Sequence, residues 1–155
     1  MTRILAINPG ATSTKIAVYD DSAPIFTQTV HHGDQDLKQF PQVIDQLEYR
    51  MELIRQALQT AGVALSSIDG VVGRGGLLKP LPGGTYLVNE AMVTDLRQAK
   101  RGEHASNLGG ILAASLGAEL GFPPILSIRS LLMNWNRWLA SPVCLTCLAA
   151  VWCMH

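Results

Sequence analysis

Apolar residues in the first third of the chain come in short runs broken by turn-forming residues. "RILAIN" ends at Asn8-Pro9-Gly10, which favours a turn. "TKIAVYD" is rich in β-branched and aromatic side chains and stops at Asp20-Asp21-Ser22. "PIFTQTVHH" then alternates. This predicts three strands joined by tight turns, an antiparallel meander. From Gln39 to Ala61 the period changes. Phe40, Val43, Ile44, Leu47, Met51, Ile54 and Leu58 recur every three or four positions, which predicts one helix closed by Gly62. "IDGVVG" reads as a buried strand, and "GRGGLLKPLPGGTY" as a glycine- and proline-rich loop. "VNEAMVTDLRQAK" and "ASNLGGILAASLGAEL" read as two helices split by "RGEH", and "PPIL" opens a further strand. The order βββαβαα(β) fits an α/β layered domain. No internal repeat interrupts it.

Composition narrows the possibilities. A chain of 155 residues suits one domain and buries roughly two thirds of its unfolded surface. A formal net charge of +0 argues against a nucleic-acid partner, which calls for a basic stripe. No run of about 20 apolar residues predicts a membrane span. "MTRILAINPG" has too short an apolar run for a signal peptide. No cysteine precedes Cys144, so the body of the chain has no disulfide framework, and a cytoplasmic protein is expected.

Three stretches carry candidate chemistry. In "NPGATSTKIAVYD", Gly10 allows close backbone approach, Ser13 and Thr14 offer hydroxyls, and Lys15 a mobile positive charge. Such a turn suits phosphate oxygens. It is not a Walker A loop: the glycine before the lysine is missing and a strand follows, not a helix. The same residues also suit a hairpin turn whose polar groups face water. In "GVVGRGGLLKPLPGG", Arg74 lies just past a buried strand, where binding groups gather. It suits a bidentate grip on a carboxylate or phosphate, or a solvated loop position. In "KRGEHASNLGG", His104 precedes a helix start that Ser106 or Asn107 could cap, and cap plus surface histidine accounts for these residues too. His31 and His32 read as strand-end residues without further metal ligands at a recognisable spacing.

Together, "ILAINPGATSTKIAVYD", "VVGRGGLLKPLPGGTYLVNEAMV" and "AKRGEHASNLGG" resemble the butyrate kinases. These are acyl-phosphate-forming kinases related to the acetate kinases, within the sugar kinase–Hsp70–actin superfamily. The resemblance runs in order from about Arg3 to about Leu126. It implies the N-terminal domain of an actin-like ATPase (ribonuclease H-like) fold. It implies a two-domain enzyme, a homo-oligomer in full-length members, with ATP and Mg²⁺ in the cleft, moving phosphate between ATP and a short-chain carboxylate. Carried over, Asn8, Gly10, Ser13, Thr14 and Lys15 match the first phosphate loop, with Asn8 near the metal-bound phosphates. Arg74 matches the arginine that holds the carboxylate and the phosphoryl group in transfer. His104 and Asn107 match positions in the substrate half of the cleft. Acetate, propionate or a branched acid are alternative substrates, and a non-catalytic half-kinase binding protein is an alternative role. Family members are roughly twice this length or more, so a truncated domain is expected.

The ending does not follow the pattern. Asn134 to His155 holds all three tryptophans and all three cysteines, and no Asp, Glu, Lys or Gly. The family would continue with an Asp-Pro-Val-Val-Val-Asp-Glu-like segment after "PPIL". Ile128–Ala140, back-translated with free third bases and read one base earlier, gives Asp-Pro-Val-Val-Val-Asp-Glu-Leu-Glu-Pro-Leu-Ala-Arg. Met133, Trp135 and Trp138 have single codons, which limits that freedom. A frameshift near Leu126 or Ser127 is therefore expected, with residues 1–126 a partial acyl-kinase domain and 127–155 an out-of-frame tail. Cys144, Cys147, Cys153 and His155 imitate a metal site only weakly, since one C-x-x-C lacks a supporting pattern.

Overall fold

The computed structural model describes residues 1–128. The out-of-frame reading beyond Ile128, and the cysteines with it, lie outside the described residues.

The first three apolar runs form β1 (Arg3–Pro9), β2 (Ser13–Asp20) and β3 (Ala23–His31), an antiparallel meander as expected. The β1–β2 register pairs Ile7 with Ile16 and Asn8 with Lys15. Arg3 clamps the start of that hairpin, its Nε and Nη2 donating to Asp20 Oδ1 and Oδ2 at 2.6 and 2.7 Å.

The single helix expected from Gln39 to Ala61 is instead broken. A short helix α1 (Asp34–Lys38) comes first, then a 3₁₀ turn at Val43–Gln46, then α2 (Leu47–Thr60). Pro41 is the reason. Its ring disfavours helical backbone at the preceding residue, and it has no N–H to give. The chain restarts at Gln42, whose N–H donates to Asp45 Oδ2 at 3.0 Å. Gly62 ends α2 as expected. With φ of 70° it takes the left-handed conformation, and Val63 N–H reaches back to Leu58 O at 2.9 Å.

β4 (Gly70–Arg74) lies parallel to β1 and is fully buried up to Arg74. Helices α3 (Glu90–Gln98) and α4 (Asn107–Leu120) follow, α3 capped by Asn89 Oδ1, which accepts from Met92 N–H at 2.9 Å. β6 (Ile125–Ile128) then pairs parallel with β4. It takes in Ser127 and Ile128, the first two residues of the region expected to be out of frame. Ladder hydrogen bonds use main-chain groups alone and do not read side chains. The strand missing from the sequence reading is β5 (Gly84–Leu87), antiparallel to β6 at the sheet edge. It has four residues among prolines and glycines, too few to show a period. The sheet order is β3-β2-β1-β4-β6-β5.

One face of the sheet carries the main core: Leu5, Ile7, Ile16, Val18 and Val71 meet Met51, Ile54 and Leu58 of α2 and Leu108, Ile111, Leu112 and Leu116 of α4. Fully burying a side chain such as Ile54 or Leu58 contributes roughly 2 kcal/mol. The opposite face holds a smaller cluster of Ile4, Ala6, Val72 and Ile125 with Tyr19 against it.

Candidate functional site

Successive side chains on a strand point to opposite faces, so the register sorts the candidate residues. Asn8 shares a face with Ala6, Lys15 with Ala17, and Arg74 with Val72, all on the side of the smaller cluster. Asn8 and Lys15 are direct cross-strand partners, within side-chain reach. Arg74 Nη1 donates to Asn8 Oδ1 at 3.3 Å. The structure thus brings Asn8, Lys15 and Arg74 together at the C-terminal ends of the parallel strands β1 and β4, with half-buried Ser13 on the Lys15 face of β2. Strand C-terminal ends are where open α/β sheets bind ligands.

Gly10 closes the hairpin turn, its N–H donating to Ser13 O at 2.7 Å. A Cβ at Gly10 would sit 3.2 Å from that same oxygen, so the tight turn has little room for a side chain.

Thr14 faces the other way. It is 1% exposed, and its hydroxyl lies 2.9 Å from both Arg50 Nη1 and His32 Nε2. The guanidinium only donates, so Thr14 Oγ1 accepts from Arg50, while the direction of its bond with His32 Nε2 follows the tautomer of the ring. Thr14 does not join the surface formed by Asn8, Lys15 and Arg74.

His32, expected as a plain strand-end residue, is buried, edge-on to the Tyr49 ring with centroids 5.5 Å apart. Its Nδ1 is buried without a hydrogen-bond partner among the described residues. Burial, helped by the Arg50 charge, pushes its pKa down to about 4 from the ordinary 6.5. The unfolded chain therefore takes up a proton before the folded one does. Stability from this residue is intact above pH 6.5 and falls as the pH drops towards 4. Urea midpoints at about pH 7.5 and 4.5 check this: the fall should be smaller in His32→Gln than in the wild type, and equal falls would show that His32 is not its source.

The loop after Arg74 turns on Gly75 and Gly76, with φ of 88° and 126°. A Cβ on Gly75 would come 2.7 Å from Ser106 Cβ, so this loop lies directly on the start of α4. There Asn107 is 4% exposed and ties two loops together. Its Oδ1 accepts from Leu77 N–H at 2.9 Å, and its Nδ2 donates to Gly102 O at 3.0 Å. Ser106 makes no side-chain cap. Its N–H donates to His104 Nδ1 at 3.1 Å, and its hydroxyl lies 2.7 Å from the same atom. Neutral His104 therefore carries its ring proton on Nε2 and is exposed. Neither proposed cap thus works through its side chain, because both are engaged elsewhere. Asn107 holds the Arg74 loop from the side of the sheet that α4 covers, while His104 is bonded to Ser106, which lies against Gly75.

Sequence reasoning missed Arg50 and Gln46. The signal was present: Arg50 falls on the same helical stripe as Leu47, Met51 and Ile54, where an apolar residue is the rule. A recess of about 470 Å³ lined by Arg55, Leu58, Gln59 and Gly62–Leu65 lies where the chain approaches the start of β4. That is the end of the sheet opposite Arg74, and no candidate residue lines it.

The fold is of the actin-like, ribonuclease H-like kind. The acetate kinase of Entamoeba histolytica superposes with a TM-score of 0.53 at 13% identity, over 82% of this chain and 34% of that one. The Porphyromonas gingivalis acetate kinase gives 0.50 at 12% identity, over 83% and 37%. In sequence the chain is 47% identical over 123 residues to butyrate kinase 1 of Clostridium acetobutylicum, which is 79% of this chain and 35% of that protein. Over the region they share, the chain is similar to this butyrate kinase, and it spans about a third of the length of that relative. No protein-family model matches it.

Proposed function

We propose that residues 1–126 form the phosphate-hairpin and carboxylate-arginine part of an ATP-dependent carboxylate kinase that makes butyryl phosphate and ADP from butyrate and ATP. The observation that carries this reading is the contact of Arg74 with Asn8, across from Lys15, on one face at the strand ends. In that reaction a carboxylate oxygen bonds to the γ-phosphorus as the bond to the ADP oxygen breaks. The chemistry asks for positioning and positive charge rather than a covalent intermediate. The Arg74 fork suits two acidic oxygens at once, the carboxylate and the moving phosphoryl group. Lys15, Ser13 and the N–H groups of the turn suit the phosphate chain. Thr14, turned inward, serves the shape of the turn. Asn107 holds the Arg74 loop, and His104 Nε2–H remains a donor beside it.

The described residues contain no group of three or more His, Cys, Asp or Glu able to hold a metal ion. That fits Mg²⁺ arriving with the nucleotide, bound mainly by phosphate and water, with the Asn8 carboxamide as its neighbour. Bound there, it would neutralise charge on the phosphates. Butyrate is favoured over acetate, propionate or a branched acid by the 47% identity to a protein named butyrate kinase.

Titrating the labelled protein with butyrate, and separately with pyrophosphate, tests the site. NMR shifts should move at Asn8, Lys15 and Arg74 and stay still at the α2 recess. Shifts that survive Arg74→Ala and Lys15→Ala together would overturn the assignment. We also propose that the reading frame changes near Leu126 or Ser127. The likeness to butyrate kinase 1 extends over 123 residues, about the length of Arg3–Leu126. The 155-residue chain alone should therefore give no butyryl hydroxamate above background when supplied with ATP, Mg²⁺, butyrate and hydroxylamine. Robust hydroxamate formation would overturn the frame reading, as would a gene sequence with no base gained or lost at those codons.

A further inference from the structure

On the helix side of the sheet, behind the phosphate hairpin, lies a cation that the kinase reading leaves without a task. Arg50 of α2 is fully buried. Its Nε and Nη2 donate to Gln46 Oε1 at 3.1 and 2.9 Å. Nη1 donates to Thr14 Oγ1 at 2.9 Å and Ser13 O at 3.3 Å, and Nη2 to Ala11 O at 3.3 Å. Every acceptor is neutral. Among the described residues Arg50 has no carboxylate within ion-pair distance, and residues 129–155 contain no Asp or Glu. Burial lowers its pKa to about 10, which leaves it charged at neutral pH. A buried charge without a counter-ion is costly, and a helix of this amphipathic pattern would be more stable with an apolar residue there.

What the charge does is read from its acceptors. Ala11 O is a main-chain carbonyl of the turn between β1 and β2, and Ser13 O and Thr14 Oγ1 belong to the first two residues of β2. In a trans peptide the N–H points opposite to the C=O. Holding Ala11 O towards α2 thus aims the Thr12 N–H away from the helix, to the outer side of the turn. His32 N–H donates to Thr12 O at 2.9 Å and pins the turn from β3 as well. We propose that Arg50 is a positioning residue: it braces the Pro9–Ser13 turn from behind, fixing the Ala11 carbonyl inward and the Thr12 N–H outward, so that the turn is shaped for an anion before one arrives. This rests on the kinase reading of the hairpin, and deepens it by adding a residue outside the binding face.

The test uses the 155-residue chain with Arg50→Lys, Arg50→Met, Thr14→Val and Lys15→Ala, each checked for wild-type far-ultraviolet circular dichroism. Two quantities are read: hydrogen-exchange protection of the Gly10 and His32 amides, and affinity for pyrophosphate by calorimetry. Arg50→Lys and Arg50→Met should lose protection at both amides and bind pyrophosphate about tenfold more weakly, the scale of one or two lost hydrogen bonds. Thr14→Val keeps the shape of the side chain and removes one acceptor, and should show a smaller loss of both. It tests the same link if the Arg50 variants do not fold. Wild-type protection and affinity in the folded Arg50 variants, or in Thr14→Val should those not fold, would overturn the brace. A turn loosened by Arg50→Lys in a protein whose pyrophosphate affinity is absent, or is untouched by Lys15→Ala, upholds the brace and overturns the kinase reading instead.

Discussion

Gly109→Ala should destabilise the protein by about 3 kcal/mol or more, among the larger effects open to a single methyl group. Gly109 lies in the first turn of α4, and a Cβ there would sit 2.2 Å from Arg74 O and 2.9 Å from Arg74 C. The contact is reciprocal: a Cβ on Gly73 would fall 1.9 Å from Gly109 O. Strand and helix backbones touch here with no side chain between them. The atoms in the way are main chain, so no rotamer change relieves the clash, and α4 must move off β4. That movement carries the Arg74 loop with it. Equilibrium urea unfolding of Gly109→Ala and Gly73→Ala measures the effect. Because the displaced carbonyl belongs to Arg74, the butyrate-induced shift at Arg74 should vanish in both variants even at temperatures where they remain folded. A midpoint within a few tenths of a molar of wild type would show that the helix yields more easily than this close approach allows.

Asn107→Leu should cost about 1–3 kcal/mol, as two part-buried hydrogen bonds to main-chain groups are lost at about 0.5–1.5 kcal/mol apiece. Leu77 N–H and Gly102 O are both satisfied by this one carboxamide. Leucine is close in size and suits the apolar surroundings of α4, so the loss isolates the hydrogen bonds rather than the packing. Asn107→Asp makes the sharper comparison. It keeps the acceptor for Leu77 N–H but sets a carboxylate oxygen against Gly102 O, so it should fall short of wild type. The loops at 75–77 and 102 should exchange faster in both variants, while the amides of β1 and β2 keep their protection. Uniform loss of protection through the sheet would mean that Asn107 supports the whole core and not these two loops.

These expectations draw on different depths of the sequence. The meander, the α2 stripe, the buried strand at Gly70 and the two later helices were all legible, because each is set by a period of apolar residues within one segment. The break at Pro41 was legible in principle, since proline acts on its immediate neighbour, yet the apolar period running across it hid the break. β5 was not legible: four residues at a sheet edge take their form from β6, which comes nearly 40 residues later in the chain. The motif residues Asn8, Lys15 and Arg74 stood out by type, and Arg74 also by its flanking glycines. Nothing local showed that Thr14, in the same motif, turns its back on them.

The sequence by itself determined most of the strands and helices, β5 and the break at Pro41 apart, and where they turn, since these follow from side-chain chemistry over a few neighbouring positions. Only the tertiary structure decided that Asn8, Lys15 and Arg74 share one face, that Thr14 and His32 lie inside with Arg50, and that Asn107 is a clamp. Those outcomes depend on strand register and on the order of strands in the sheet. Both are fixed by contacts between residues up to 66 positions apart, as in the Arg74–Asn8 hydrogen bond, which no local pattern specifies.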